Sequence, residues 1–203
     1  MTMNEGSMKD LNANYWNNRY ESGETGWDLG SVSPAIAEYI DQLERTDLRV
    51  LIPGCGNSYE AEYLANKGFS DITLIDISDK LTDNLRKKFE SKQFVNVITR
   101  DFFEHEGEYD VIIEQTFFCA LHPAKRMEYA EKMRELLSEE GRLVGVLFDK
   151  EFEKEGPPFG GSAVEYRNIF ESHFDLKVLE KCYNSIPQRS GGEVFINLRK
   201  KTI

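Results

Sequence analysis

The sequence predicts an α/β protein: a Rossmann-like, mostly parallel sheet of seven strands with a reversed C-terminal strand and helices on both faces. Three observations predict it. Short apolar runs alternate with helical patterns along most of the chain. The runs are apolar almost throughout, as in strands covered on both faces. The last two runs have only a loop between them, which allows an antiparallel hairpin, whereas a parallel return needs a crossover.

The elements follow in order. Ser33-Pro34 reads as N-cap and first helical position, and Ile36, Tyr39, Ile40 and Leu43 then share one helical face. "RVLIP" (49–53) is strand one, and "YEAEYLANKG" is a helix ending at Gly68. "DITLID" (71–76) is strand two. Ser78 caps a helix with Leu81, Leu85 and Phe89 on one side. "FVNVITR" (94–100) and "YDVIIEQ" (109–115) are strands three and four. Pro123 opens a helix through about Leu137, Gly141 ends the following turn, and "RLVGVLF" (142–148) is strand five. A helix near 162–172 precedes the hairpin "DLKVLEKCY" and "EVFINLRK".

The 203 residues suffice for one domain, 1–203, with residues 1–30 as an N-terminal lid segment. Lys plus Arg total 25 against 36 for Asp plus Glu, a formal charge of -11 that repels phosphate backbones, so no nucleic-acid partner is expected. No apolar run reaches membrane-spanning length, and "MTMNEGSMKDLN" has no signal-peptide pattern. Cys55, Cys119 and Cys182 are odd in number and far apart, which argues against a disulfide framework and fits a reducing cytoplasm. The three histidines, His105, His122 and His173, lack metal-ligand spacing, so no metal site is assigned.

Ligands of an open α/β sheet sit beyond the carboxyl ends of its strands, at the switch point beside strand one. Strand one ends in "PGCGNSYE", where Gly54 and Gly56 permit a sharp turn and close approach to a ligand. Strand two ends at Asp76, an acid able to accept both hydroxyls of a ribose. After strand three, Asp101 can accept from an adenine amino group and Phe102 can pack on the ring. Glu114 and Gln115 end strand four, pointing at the switch point. Each acid alone reads equally as a capping or solvated residue. Together they would repel a dinucleotide pyrophosphate, and Tyr59 replaces the third glycine of G-x-G-x-x-G. An acidic crevice suits a cationic nucleoside without phosphate, and S-adenosylmethionine is one.

"YWNNRYESGETGWDLG", "VLIPGCGNSYEAEYLANKG", "LIDIS", "RDFFE", "EQTFFCALHPAKRMEYAEKMRELL" and "GPPFGGSAVEY" resemble the thiopurine S-methyltransferase family, above all its branch of thiol and halide methyltransferases. The resemblance implies a class I fold, S-adenosyl-L-methionine as cofactor, S-adenosyl-L-homocysteine as product and a small-molecule methyl acceptor. It implies that Trp16, Tyr20 and Trp27 contact the cofactor, with Gly54 in the glycine-rich loop, Asp76 on the ribose, and Asp101 and Phe102 on the adenine side. Gln115 stands where the plant-like branch commonly has tyrosine, and Glu114 where it has aspartate. Arg126 resembles an arginine that faces the substrate in thiopurine enzymes, and Arg189 matches a second. Phe159, in the loop "EKEGPPFGG" (153–161), is expected on the acceptor side.

Trp16 and Trp27 are the only tryptophans, and both precede strand one. They either staple the N-terminal segment to the domain or close over a sulfonium, which aromatic faces attract; the resemblance favours the lid. A thiolate or halide is already ionised near neutral pH, so no catalytic base is named. The reading is therefore a methyltransferase acting on a thiol or thiopurine sulfur. The alternatives are a halide or thiocyanate methyltransferase, a nicotinamide-dependent oxidoreductase and a non-catalytic cofactor-binding module.

Overall fold

The computed structural model describes residues 11–154 and 156–202. The residues read for a signal peptide lie almost wholly outside these, as do the first ten of the expected lid and Glu155 of the 153–161 loop. Seven strands form one sheet: β1 (Val50–Pro53), β2 (Ile72–Asp76), β3 (Val95–Thr99), β4 (Tyr109–Gln115), β5 (Leu137–Phe148), β6 (Phe174–Lys181) and β7 (Glu193–Lys200). Their order is β3-β2-β1-β4-β5-β7-β6. β7 runs antiparallel to both its neighbours, so the reversed strand is next to the edge rather than on it. The order changes direction between β1 and β4, and that is where the carboxyl ends open a crevice.

Neighbouring residues of a strand point to opposite faces, and both faces are covered. Val50 and Ile52 pack with Ile36 and Ile40 of α2 (Pro34–Asp41), Leu64 of α3 (Tyr59–Asn66) and Leu81 and Leu85 of α4 (Asp79–Lys88). Leu51 packs on the other side with Tyr129 and Met133 of α5 (Arg126–Leu136) and Ile169 and Phe170 of α6 (Ala163–Phe170). Pro34 starts α2, and the Ser78 hydroxyl caps α4 by accepting from Leu81 N at 3.2 Å. Ser33 occupies the N-cap position of α2 without a side-chain cap; its own N–H donates to Glu60 Oε1 at 3.1 Å.

Three boundaries differ from the sequence reading. Residues 13–22 form a helix, α1 (Ala13–Ser22), where the sequence reading placed only the lid segment. None of its residues is fully buried, so it has no apolar stripe to betray it; Asn12 caps it, and Gly23 at φ 71° ends it. α5 is preceded by a 3₁₀ turn at Pro123–Lys125, so Pro123 opens the turn rather than the helix. β5 begins at Leu137 rather than at Arg142, because Leu137 pairs with Tyr109 across an irregular register. Among the described residues no helix is long and apolar enough to cross a membrane.

Gly145 lets β4 and β5 meet closely: a Cβ there would lie 2.3 Å from Glu114 O and 2.5 Å from Glu114 Cβ. Gly145→Ala should therefore destabilise the fold by about 1–3 kcal/mol through overpacking. That corresponds to a fall of several degrees in Tm for a chain of this size. An unchanged calorimetric Tm would show that the two strands have room to part.

Candidate active site

A cavity of about 780 Å³ occupies the crevice beyond the carboxyl ends of β1, β2 and β4. That is the size range of cofactor sites. Its floor is the turn after β1. Gly54 and Gly56 take φ values of 53° and 49°, and a Cβ on Gly54 would lie 2.1 Å from Phe117 Cδ2. Only glycine allows this turn and the contact with Phe117 together.

The structure brings eight of the expected residues to this one cavity: Trp16, Tyr20, Trp27, Gly54, Asp76, Asp101, Phe102 and Gln115. Asp76 is nearly buried, and desolvation pushes its carboxyl up to about 6, partly opposed by the backbone N–H groups of Ser78, Gly56 and Ile77. Ser78 N donates to its Oδ1 at 2.9 Å. Asp101 caps the 3₁₀ turn Phe102–Glu104, its Oδ1 accepting from Phe103 N at 2.9 Å. Both acids thus make the capping contacts that sequence also allowed, and both still face the cavity. Gln115 carries a buried amide whose Oε1 and Nε2 have no partner among the described residues. Orphaned groups of this kind are costly unless a ligand pairs with them.

The wall opposite the sheet is aromatic. Trp16 and Tyr20 on α1 each meet the Trp27 ring edge to face at 5.7 Å. Burial raises the Tyr20 hydroxyl pKa well above its usual range, with Asp76 adding to the shift. The segment is tied down by polar contacts. Asn17 Nδ2 donates to Asp79 Oδ1 at 2.8 Å and Asn17 Oδ1 accepts from the Ser78 hydroxyl at 2.6 Å. Asp28 Oδ2 accepts from Asn57 Nδ2 at 2.5 Å and from Tyr59 OH at 3.3 Å, joining the segment to the glycine turn. Sequence reading missed Asn17 and Asp28, because each acts through a partner more than 25 residues away.

Glu114 is corrected in orientation. It is fully buried behind the cavity wall, where Oε1 accepts from Phe117 N at 2.8 Å and Phe118 N at 3.0 Å, and Oε2 accepts from Tyr129 OH at 2.6 Å. Desolvation raises its carboxyl to about 7 against those three bonds. Three further expectations do not meet at the cavity. Arg126 is buried in the α5–α6 contact, donating to Glu165 Oε1 at 2.5 Å and Gly160 O at 2.6 Å, with Cζ 4.9 Å from the centre of the Phe118 ring. Arg189 donates to Trp27 O at 2.8 Å and Glu193 Oε1 at 3.3 Å, so it reaches the N-terminal segment rather than the cavity. Phe159 turns its ring to His122, 5.5 Å away, while its N–H donates to Cys119 O at 2.7 Å. From that loop it is Pro157 and Pro158 that line the cavity.

The cavity fits S-adenosylmethionine. It offers carboxylates for hydroxyl and amino donors, an aromatic wall for a cation, and an unpaired amide, with glycine turns where a Cβ would intrude.

A family model described as thiopurine S-methyltransferase matches residues 11–198. A probable thiol methyltransferase 2 of Arabidopsis thaliana is 31% identical, covering 80% of this chain and 74% of the relative. A thiocyanate methyltransferase 1 of Brassica oleracea is 27% identical over 88% of this chain and 81% of its own length. The solved structure of an N1-methyltransferase from Burkholderia thailandensis superposes with a TM-score of 0.75 at 19% identity, covering 94% of this chain and 87% of that one, and shares the fold. The chain belongs to the thiopurine S-methyltransferase family and is an S-adenosylmethionine-dependent methyltransferase. The oxidoreductase alternative falls with that membership.

Asp76 generates a pH dependence. Its carboxyl sits at about 6 against an ordinary 3.8, so the stability it contributes is full below 3.8 and is lost as pH rises through 6. Hydroxyl donors favour the ionised form, so binding draws the proton away. S-adenosylhomocysteine affinity should therefore strengthen as pH rises through about 6 and then level off. Asp76→Asn should bind about tenfold or more weakly near neutrality, with a flatter profile. Calorimetry showing equal affinity in the variant would remove Asp76 from the site.

Proposed function

We propose that this member of the family, one domain spanning 1–203 with 1–30 as its lid, methylates the sulfur of a small thiol or heteroaryl thiol. The observation that carries this reading is the absence of a placed base among the described residues at the end of the cavity after β4. Cys119 there is buried, and desolvation raises its thiol pKa well above the usual range. His122 spends Nδ1 on Ala124 N at 3.2 Å, and Gln115 is a neutral amide. Lys125 and Glu128, at the rim, pair with each other at 2.6 Å. An acceptor that enters this site must arrive already ionised, as a thiolate does. The family relatives named for thiol and thiopurine support sulfur, and the one named for thiocyanate supports a thiocyanate or halide acceptor as the alternative.

Bound S-adenosylmethionine supplies a methyl group on a sulfonium, which a soft nucleophile in line with the breaking bond displaces. In this reading the protein holds and shields. Asp76 takes the ribose hydroxyls, Asp101 the adenine amino group, and Phe102 the ring. Gln115 lies at the junction of cofactor and acceptor. Trp16, Tyr20 and Trp27 exclude water, which would otherwise stabilise the separated charges and oppose their reaction. Phe159 and Arg126 act at second hand. Arg126 grips Gly160 and Phe159 N grips Cys119 O, which keeps Pro157 and Pro158 against the acceptor end. Arg189 holds the carbonyl of Trp27 from the hairpin side.

S-adenosylhomocysteine release should be measured across iodide, thiocyanate, hydrosulfide, aryl thiols and thiopurines. Sulfur acceptors should give the highest kcat/KM; a higher value for iodide or thiocyanate would overturn the thiol reading. Cofactor binding without turnover on any acceptor would leave a non-catalytic module. The lid has its own test. Limited proteolysis of residues 15–30 should slow on saturation with S-adenosylhomocysteine, and Trp27→Ala should lower both turnover and affinity. Equal cleavage rates with and without ligand would reduce the aromatic cluster to packing.

A further inference from the structure

One buried cation lies outside the cavity and holds the segment that covers it. Arg189, on the 3₁₀ turn Pro187–Arg189 between β6 and β7, has a side chain only 10% exposed. One guanidinium nitrogen donates to the buried Glu193 Oε1 at 3.3 Å, and the other donates to Trp27 O at 2.8 Å. Its Cζ lies 5.1 Å from the centre of the Phe148 ring, at the end of β5. Desolvating an ion pair is costly, and more than is needed to hold one carbonyl in place. The same turn continues into the acceptor side of the protein. Arg189 O accepts from Gly192 N at 3.0 Å, and Gly192 O accepts from Asp149 N at 2.9 Å. A Cβ on Gly192 would lie 3.2 Å from Lys150 Cδ, so the two chain segments touch. Asp149 Oδ1 then accepts from Ala163 N at 2.9 Å, and Lys150 O from Gly161 N at 3.0 Å. These bonds close the base of the loop whose Pro157 and Pro158 line the cavity. A continuous series of contacts therefore runs from the Trp27 carbonyl to that loop.

We propose that Arg189 is a positioning residue that couples the N-terminal segment to the acceptor loop, so that closing the segment over the cofactor also sets the loop that meets the acceptor. This rests on the lid and on the acceptor end as proposed above. It gives the loading of the site an order, cofactor first, because the acceptor side is complete only when the segment is down. A series of contacts carries such coupling only if both of its ends respond to one ligand, and that response can be measured at each end separately.

Amide hydrogen exchange on the full chain, with and without saturating S-adenosylhomocysteine, reads both ends at once. In the wild type, exchange should slow about fivefold or more in residues 15–30 and also in residues 156–163. In Arg189→Met, residues 156–163 should lose that response while the ligand still saturates the protein, which separates coupling from direct contact between ligand and loop. Arg189→Met combined with Glu193→Gln should behave in the same way. It removes both charges together, leaves no carboxylate buried alone, and keeps the test decisive if the single variant does not fold. An equal response of residues 156–163 in a folded variant and in the wild type would overturn the coupling. So would a wild type in which residues 15–30 respond and residues 156–163 do not. No response at residues 15–30 of the saturated wild type would overturn the lid, and the coupling with it. Failure of the wild type to bind S-adenosylhomocysteine at all would overturn the cofactor reading of the cavity instead.

Discussion

The cavity depends on one buried carboxylate. Glu114 accepts from two consecutive backbone N–H groups and from a tyrosine hydroxyl, and so fixes how the chain leaves β4. Thr116 is held at φ 61°, a costly conformation for a residue with a Cβ, which persists only because its surroundings over-determine it. The turn sends Phe117 toward Gly54 and the Phe102 ring, and Phe118 the other way, against Tyr129, Tyr166 and the Arg126 guanidinium. The cavity side of this divergence holds Gln115 and Phe117, and the core side carries Arg126 and the loop it anchors. The glycine turn after β1 is the counterpart: without a Cβ at Gly54 there is room for Phe117, and without Phe117 the floor of the cavity would be open. Removing either member undoes both halves of the crevice.

What the sequence made legible is what it encodes locally. The strands were readable because each is a short apolar run, and the hairpin because nothing long enough for a crossover separates its strands. The strand-end residues Gly54, Asp76 and Asp101 were readable because a parallel sheet brings all strand ends to one edge. Helix α1 was not readable: it packs only partly, and its docking rests on Asn17 finding Ser78 and Asp79. Arg126 shows the opposite failure. A helix-start arginine near a cavity resembles a substrate contact by position, but its direction is set by Glu165 and Gly160, both more than 30 residues on. Glu114 misled for a simpler reason. Alternation along a strand says that it and Gln115 face opposite ways, but not which of the two faces the crevice.

The two readings of the tryptophans describe one arrangement. Trp16 and Trp27 meet each other and Tyr20 rather than the sheet core, and none of the three is fully buried. Polar contacts help to hold them: Asn17 at the surface, and the part-buried bonds of Asp28 and of Arg189 to Trp27 O. Segments with few buried apolar contacts open at a small fraction of the global unfolding free energy. In the lid we propose, a staple made in this way is also a hinge, and a ligand that bridges the cluster and the glycine turn strengthens it by its differential affinity for the closed form.

On the proposed reading, a chain of net charge -11 that admits an anionic acceptor faces a conflict of sign. Three acids in and beside the cavity bear on it. Asp28 is occupied by Gly30, Asn57 and Tyr59. Burial raises the carboxyl of Asp76, in the cavity, to about 6, and that of Glu114, behind its wall, to about 7. On the proposed reading the acceptor end is lined by Phe117, Cys119, Leu121 and the two prolines, with Glu128 at the rim paired to Lys125. Binding order follows from the same electrostatics. A cationic cofactor relieves the repulsion of the acids it covers, and an anion entering afterwards meets a cavity closer to neutral than the ligand-free one. On that reading Arg126 and Arg189 are spent on structure, and the cation at the acceptor end is Lys125 at the rim.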